Sequence, residues 1–144
     1  MTLIDAAVLA KLRAASTITA LVGSRVYPDA LPPSPALPAL TVRKISDIPD
    51  PEVGAAHRAR VQVSCWSNPT PANGVRSPAE VEGLASAVGA LLHSARLNSS
   101  PTSWTAGATT YRVLSTRATF GPRLTEDGSG YYHVPVDVLV DFTE

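Results

Sequence analysis

The carboxylates Asp137 and Asp141 have types and a spacing that could serve acid–base chemistry. They lie four residues apart in YYHVPVDVLVDF (131–142), whose alternating apolar residues are typical of a strand. Four strand residues separate the two side chains by ~13 Å, which is too far for a shared proton. We therefore expect both to face cations, either Arg60 or Arg117 of neighbouring strands, or a partner subunit.

His133 lies on the same strand face as Asp137 and supports an alternative interpretation. The pair could line the pocket of a small enzyme or ligand-binding domain, between a helix over 78–93 and the sheet. Such a site also needs a nucleophile, a cofactor motif or a partner base, and the sequence contains neither GxSxG nor a P-loop pattern. We predict that the chain is not an enzyme and keep this pocket as the alternative.

Residue spacing gives no support for a metal or a cofactor. The histidines form neither an HxH nor an HExxH pattern and stand apart at His57, His93 and His133. Cys65 falls in the apolar register of its strand, which favours a buried thiol over a nucleophile. We expect no metal and no cofactor.

A loop is predicted over 47–57, with three carboxylates at Asp47, Asp50 and Glu52. These residues have neither the pattern of a calcium loop nor a glycine at its turn position. A solvated loop is the prediction.

Bulk composition bounds the remaining classes of protein. Twelve basic and twelve acidic residues cancel, so the bulk charge indicates neither nucleic acid nor an anionic membrane. No uncharged apolar run reaches the ~18–20 residues of a membrane span, and we expect no membrane function. The single cysteine excludes an internal disulfide. At 144 residues, one domain over 1–144 is the default.

Local patterns predict the helices that position these residues. Helices are predicted at 3–15, 17–22 and 78–93. Thr2 followed by Asp5 resembles a short capping box. Ser77 and Pro78 supply a cap and a first helical residue for the third helix.

Strand patterns complete the predicted fold. Strands are predicted in RVY (25–27), ALTVRKIS (39–46), ARVQVSCWS (59–67), TYRVLSTRATF (110–120) and YYHVPVDVLVDF (131–142). This order predicts an α+β domain, with a mainly antiparallel (mixed) sheet of about 4–5 strands and helices packed on one face. Pro135 removes one ladder donor from the last strand, which favours an edge position or a bulge.

The segment PDALPPSPALP (28–38) carries five prolines among eleven residues and is otherwise largely apolar. Proline fixes φ and lacks an N–H, so this segment is not the middle of a helix or sheet. We interpret it as a proline-rich arm (residues 28–38) that needs a partner.

The order of segments resembles that of the tail terminator or tail completion proteins of long-tailed bacteriophages. The resemblance runs from about Leu3 to Phe142. Its most telling pieces are GSRVYP (23–28), LPAL (37–40) leading into a strand, and VQVSCWS (61–67). None of these pieces is a catalytic signature.

This resemblance implies a structural virion protein without enzymatic activity. It implies a hexameric ring at the head-proximal end of the tail tube, which terminates tube polymerisation and provides the head–tail joining surface. The implied partners are further copies of the chain, the tail tube protein and a head-completion or neck protein, with DNA passing through the lumen without specific binding. Assembly in the host cytoplasm is expected. A head-closure or neck joining protein is a close alternative.

Three segments are expected to meet neighbouring subunits, tube or head: the proline-rich arm, the loop after the second strand, and the hairpin over 121–130. Their expected contact residues are Tyr27, Pro28, Leu31, Pro32, Pro33, Pro35, Leu37, Asp47, Asp50, Glu52, Arg123, Glu126 and Asp127.

Overall fold

A computed structural model of the chain describes residues 2–50, 52, 55–69, 78–93 and 102–144. Within these residues the chain forms three helices and seven strands. In chain order they are α1 (Ile4–Ala14), α2 (Ser16–Val22), β1 (Val26–Pro28), β2 (Ala39–Pro49), β3 (Ala56–Ser67), α3 (Ala79–Leu92), β4 (Thr102–Ala106), β5 (Thr109–Phe120), β6 (Leu124–Thr125) and β7 (Tyr132–Thr143).

The seven strands form one mixed sheet in the order β1-β2-β3-β7-β5-β4, with β6 also paired to β7. β1 and β2 run parallel, and the other described pairs are antiparallel. The predicted α+β class is confirmed. The expected count of four or five strands is wrong, because β4 and β6 were not predicted from the sequence.

One face of the sheet and the three helices enclose the core. Along β7 every second residue from Tyr132 to Phe142 is buried. These side chains form one apolar cluster with buried residues of α1, α2 and α3, including Val8, Ile18 and Val88. The helices therefore pack on one face, and the other face of the sheet carries no helix among the described residues.

Helix α1 contacts the edge strand β4 on one side of the sheet, and β1 and β2 at the opposite edge. Arg13 donates from Nη2 to the Val26 carbonyl oxygen at 2.7 Å. The Leu3 N–H donates to the Tyr111 hydroxyl at 2.8 Å. Lys11 Nζ lies 5.4 Å from the centre of the Trp104 ring. The sheet thus curls so that both of its edge strands, β1 and β4, contact the same helix.

The ends of the helices follow the predictions in part. α2 is followed by Gly23 at φ 59°, a left-handed value that glycine adopts without a Cβ clash. Thr2 does not cap α1, whose N-cap is Leu3 without a side-chain hydrogen bond. The predicted cap is wrong because the Thr2 side chain bonds Asp47 instead. The expected Ser77 cap lies outside the described residues.

Strands β2 and β3 extend into the range 47–57, for which the sequence predicts a loop. β2 continues to Pro49, and β3 already begins at Ala56. The register between these strands shifts between Lys44 and Ser46. Such a bulge breaks the two-residue alternation by which a strand is recognised in sequence. Asp47 and His57 are therefore strand residues, which corrects the predicted loop.

Pro135 lies in a central strand, since β7 pairs with β3 on one side and with β5 and β6 on the other. The predicted edge position is wrong, and the register with β3 continues through Pro135 without a bulge. The Pro135 carbonyl accepts from the Gly121 N–H at 2.8 Å, so the missing donor of Pro135 points to the same side. There β5 has ended at Phe120 and β6 begins only at Leu124. The gap between these two strands tolerates the proline.

Candidate functional site

The proline-rich arm connects the parallel strands β1 and β2. Both of its ends are held: Arg25 donates from Nε to the Pro38 carbonyl at 2.8 Å, and the Asp29 N–H donates to the Val42 carbonyl at 2.8 Å. Parallel strands cannot be joined by a tight hairpin and need a long crossover. The length of the arm therefore follows from the topology, while its apolar and proline-rich composition does not.

The expected contact residues of the arm lie at the surface to different degrees. Pro28 and Pro33 are exposed, whereas Tyr27, Leu31, Pro32, Pro35 and Leu37 are partly buried. Pro28 closes β1, and the structure assigns no helix or strand to 29–38. The prediction that the arm is not the interior of a helix or sheet is confirmed for those residues. Its contact with a neighbour stays a prediction.

The outer edge of β1 is closed by the chain itself. Val26 and Pro28 turn their backbone groups away from β2. The Val26 carbonyl accepts from Arg13, and its N–H donates to the Ser24 carbonyl at 2.9 Å. Pro28 has no N–H, and its carbonyl accepts from Ala30 at 2.8 Å. Because unpaired strand edges attract strands of other chains, a partner is not expected to pair here.

Asp47 attaches the start of the chain to β2. Its carboxylate accepts hydrogen bonds from the Thr2 hydroxyl and from the Thr2 N–H, the latter at 3.3 Å. Its other oxygen lies 2.9 Å from His57 Nδ1, and the His57 ring stacks on Phe142. Burial raises the pKa of Asp47, but the bonds from Thr2 and His57 outweigh it, and the pKa lies below its usual value.

Asp50 and Glu52 are exposed, as expected for a loop. The Asp50 N–H donates to the Ala56 carbonyl at 2.8 Å, and the Asp50 side chain accepts from the Glu52 N–H at 2.9 Å. These bonds hold Asp50 to Glu52 and Ala56.

In the hairpin over 121–130, Arg123 reaches back to α3. Its Nη1 lies 2.8 Å from a carboxylate oxygen of Glu82, and its guanidinium lies 5.4 Å from the centre of the Tyr132 ring. Glu126 and Asp127 are exposed. Two acidic side chains of the hairpin therefore face solvent.

Strand register places the three predicted contact segments at two ends of the sheet. Ala39, Trp66, His133 and Leu124 lie side by side across β2, β3, β7 and β6. The arm and the hairpin therefore lie at the same end of the strands. Asp47 lies towards the opposite end of β2. The structure thus places two of the segments at one end of the strands and the third at the other.

An open cleft lies at the end of the strands that carries Ile48, Pro49 and Asp50. Its volume is about 610 Å³, and Ile48, Pro49, Ala56 and Leu114 contribute its apolar lining. The Ile48 side chain is 61% exposed. Sequence patterning missed this exposed isoleucine because the bulge in β2 hides which face it occupies.

His133 and Asp137 have separate partners. The His133 ring stacks on Trp66 with ring centres 4.2 Å apart, and burial lowers the pKa of His133. Asp137 lies 2.8 Å from the Arg60 guanidinium, which confirms the expected cation for this carboxylate. Four strand residues, ~13 Å, separate the two positions. The geometry does not join them into one acid–base pair.

The sheet face without helices, here called the helix-free face, carries a ladder of charges. Its charged strand residues are Arg43, Arg58, Arg60, Arg112, Arg117, Asp137 and Asp141. Arg58 binds Asp141 with two contacts of 2.6 and 3.1 Å, and Ser115 Oγ donates to Asp141 at 2.8 Å. Burial raises the pKa of Asp141, but the bonds from Arg58 and Ser115 outweigh it, so the pKa is lowered. The sequence predicts Arg60 or Arg117 as the cation for Asp141, whereas the structure shows Arg58.

Metal ligands do not converge in the part of the chain that the structure describes, where no three His, Cys, Asp or Glu side chains form a cluster. Cys65 is buried in β3, and burial raises its pKa. None of the described helices combines the length and apolar character needed to cross a membrane.

Comparison with known proteins identifies the family. The sequence model described as tail completion protein gp17 matches residues 6–140, nearly the whole chain. The chain belongs to this tail completion protein family. The resemblance seen in the sequence is thereby confirmed, and the chain is a structural component of a phage-type tail.

A solved structure shares the fold of this tail completion protein. It is a chain described as part of the virion of a native gene transfer agent particle, with a TM-score of 0.71 and 22% sequence identity. The match covers 98% of this chain and 95% of the other chain. A search of curated proteins found no match.

Membership of the tail completion family argues against the alternative of a small enzyme. The separate partners of His133 and Asp137 point the same way, because acid–base catalysis needs groups within reach of one reacting atom.

Proposed function

We propose that this tail completion protein forms a ring, with six subunits, at the head-proximal end of the tail tube. The ring terminates tube polymerisation and presents the surface to which the head is joined. The observation that carries the proposal is the division of exposed apolar segments between two opposite ends of the sheet: the arm at one end, and the cleft beside Ile48 at the other. Unlike ends support head-to-tail contacts, and such contacts form a ring when the rotation between neighbouring subunits closes.

The closed outer edge of β1 supports contacts through loops instead of strand pairing. At that edge Arg13 occupies the Val26 carbonyl, the Val26 N–H donates to the Ser24 carbonyl, and Pro28 has no N–H, so no backbone donor is left for a partner strand. The proline-rich arm suits a contact of this kind, because proline has already restricted the unfolded chain and little entropy is lost on docking. The arm is the part of the protomer that we assign to a neighbouring subunit.

The family description, tail completion, supports a position at an end of the tail. The fold shared with a chain of a gene transfer agent virion supports a role within an assembled particle. The tail tube protein and a head-completion or neck protein are the proposed partners at the two faces of the ring.

Deleting the arm is not the best test of this proposal. Pro28 pairs with Val42, so Ala39 lies ~11 Å from Pro28 at the usual strand spacings. Removing 29–37 would leave two Cα–Cα steps, at most about 7.6 Å, for this span. Such a deletion would pull β1 off the sheet. Substitution within the arm leaves this connection intact.

The test is the double variant Leu31→Ser with Leu37→Ser, and its control is Leu21→Ser. Leu21 is a 45% exposed leucine on α2, outside the arm. Native mass spectrometry over a range of concentrations, with and without tail tubes, measures assembly. We expect wild type and the control to form a species of six times 15.0 kDa, or to cap tube ends, and the arm variant to remain monomeric. Rings formed equally by the arm variant would exclude the arm as the contact.

A further inference from the structure

Strand β2 is longer than the strand β1 that covers its outer side, the side away from β3. The pairing of β1 with β2 ends at Pro28 and Val42, whereas β2 continues to Pro49. Among the described residues, no strand lies beside residues 43–49 on that side. The closed edge of the sheet therefore ends with β1, and the rest of β2 forms an open stretch of edge.

Alternation along the strand shows that Lys44 presents its backbone to the outer side. The Leu40 N–H donates to the Arg25 carbonyl, and the Val42 carbonyl accepts from the Asp29 N–H. Both groups point away from β3. Every second residue of a strand turns its N–H and its carbonyl to the same neighbour. Lys44 therefore faces the outer side as well.

Asp47 has the same orientation beyond the bulge. The Asp50 N–H donates to the Ala56 carbonyl of β3, so Ile48, two residues earlier, also faces β3. Asp47 comes directly before Ile48 and faces outward. In the described part of the chain, no backbone group or side chain on this side bonds the N–H or the carbonyl of Lys44 or Asp47. Two donors and two acceptors are thus left to water or to a partner strand.

The features that protect a natural strand edge are weak along this stretch. Lysine side chains, prolines and bulges keep foreign strands away from such edges. The Lys44 ammonium, however, already donates to the Thr2 carbonyl. The bulge between Lys44 and Ser46 and the proline at 49 limit pairing to a few residues. The open stretch therefore suits one short segment and not an unlimited stack of strands.

We propose that residues 43–48 accept a short extended segment of another protein, which adds one strand to the sheet. In strand addition, backbone hydrogen bonds supply affinity, and cavities for alternate side chains supply specificity. Two cavities flank the stretch: one of about 340 Å³ lined by Ile45, and one of about 610 Å³ lined by Ile48. Both isoleucines are exposed. The partner segment therefore carries apolar side chains and few prolines. This inference requires no ring and goes beyond the proposed function.

A second copy of the chain fits the open stretch less well. At most three residues, as at 29–31, separate the prolines of its arm, and proline has no N–H to donate. Its edge strand β4 could pair instead. The exposed residues of β4, however, are the polar Thr102, Ser103 and Thr105. These side chains do not match the cavities beside the two isoleucines.

The test uses the purified full chain and a short amidated peptide of alternating valine and threonine with lysine at both ends. Amide hydrogen exchange followed by NMR reports binding at single residues. We expect the peptide to slow exchange at Lys44 and Asp47 and to leave Ile48, whose amide faces β3, unchanged. The fully N-methylated peptide keeps the side chains but has no backbone donors. It should bind about tenfold more weakly, or not at all, because the backbone hydrogen bonds are lost.

A pair of variants with matched exposure locates the binding site. Ile45 and Leu124 are 44% and 46% exposed, and Leu124 lies at the other end of the strands. Ile45→Lys places a charge beside the open stretch and should weaken peptide binding severalfold. Leu124→Lys makes the same change of charge and should bind the peptide like wild type. Circular dichroism checks that both variants are folded.

Unchanged exchange at Lys44 and Asp47 with the peptide in excess, or equal binding of the N-methylated peptide, would overturn the proposal. Native mass spectrometry of the same samples separates these results from the proposed function. Peptide binding by a protein that forms no ring would support strand addition and contradict only the ring. Slow exchange of the two amides in the ring without peptide, but not in the monomer, would assign the edge to a second copy and overturn the choice of partner.

Discussion

Alternate residues of β7 face two different environments. On the helix-covered side, Val136, Val138 and Val140 are fully buried. On the helix-free side, Asp137 and Leu139 are partly exposed. Burying a valine side chain contributes about 1.5–3 kcal/mol, whereas exposed ion pairs contribute little. One strand therefore separates residues that determine stability from residues available for contacts.

The largest expected change in the free energy of unfolding comes from a comparison of the same new charge on the two sides of β7. Val138→Asp buries an unpaired carboxylate and should lower the free energy of unfolding by more than about 4 kcal/mol, or prevent folding. Leu139→Asp places a carboxylate between Arg60 and Arg117 and should change the free energy of unfolding by less than about 1 kcal/mol. Urea unfolding followed by circular dichroism measures both. Similar losses in the two variants would contradict the division of the strand.

An intermediate effect is expected from the carboxylates with lowered pKa on either side of the sheet. Asp47→Ala leaves the Thr2 N–H and hydroxyl without their acceptor, and should cost about 1–3 kcal/mol. Asp141→Ala removes an ion pair with an exposed arginine, and should cost less. The same unfolding experiment ranks the two variants. Equal costs in the two variants would contradict this ranking.

The pH dependence of stability provides a second test of what these carboxylates contribute. Because the folded pKa of Asp47 and of Asp141 lies below the unfolded value of about 3.9, each ionised group stabilises the fold above that pH. This stability is lost as pH falls through the lowered folded values. Asp47→Ala should therefore flatten the acid side of the stability curve. A wild-type slope in that variant would exclude Asp47 as its source.

The smallest expected effect concerns two glycines of α3. A Cβ on Gly83 meets nothing within 4 Å, so Gly83→Ala should add up to about 1 kcal/mol of stability from helix propensity. A Cβ on Gly89 would lie 2.4 Å from the Phe120 ring, so Gly89→Ala gains less or destabilises. Thermal unfolding distinguishes them. An equal gain would mean that Phe120 does not rest on α3.

Strong periodicity made much of the fold predictable from the sequence. The three helices and the strands around Val63, Val113 and Val138 follow from local patterns. β4 and β6 were missed because five and two residues are too short for a periodic signal. The central position of Pro135 depends on a gap between β5 and β6, which only tertiary pairing creates.

The candidate surfaces were predictable to a lesser extent. Alternation along β7 placed Asp137 on a polar face, and Arg60 was named as its cation. Arg58 could not be assigned to Asp141, because the choice depends on the register between β3 and β7. The position of Asp47 against Thr2 likewise joins residues 45 apart in sequence.

The contacts of α1 with both end strands have a consequence for the order of folding. Leu3 and Tyr111, which share a hydrogen bond, are 108 residues apart, so the first helix completes its contacts only after β5 exists. During synthesis, the helix that emerges first must wait for nearly the whole chain. Contacts so distant in sequence slow folding. A prematurely ended chain that lacks β7 would leave one edge of β3 unpaired and open to aggregation.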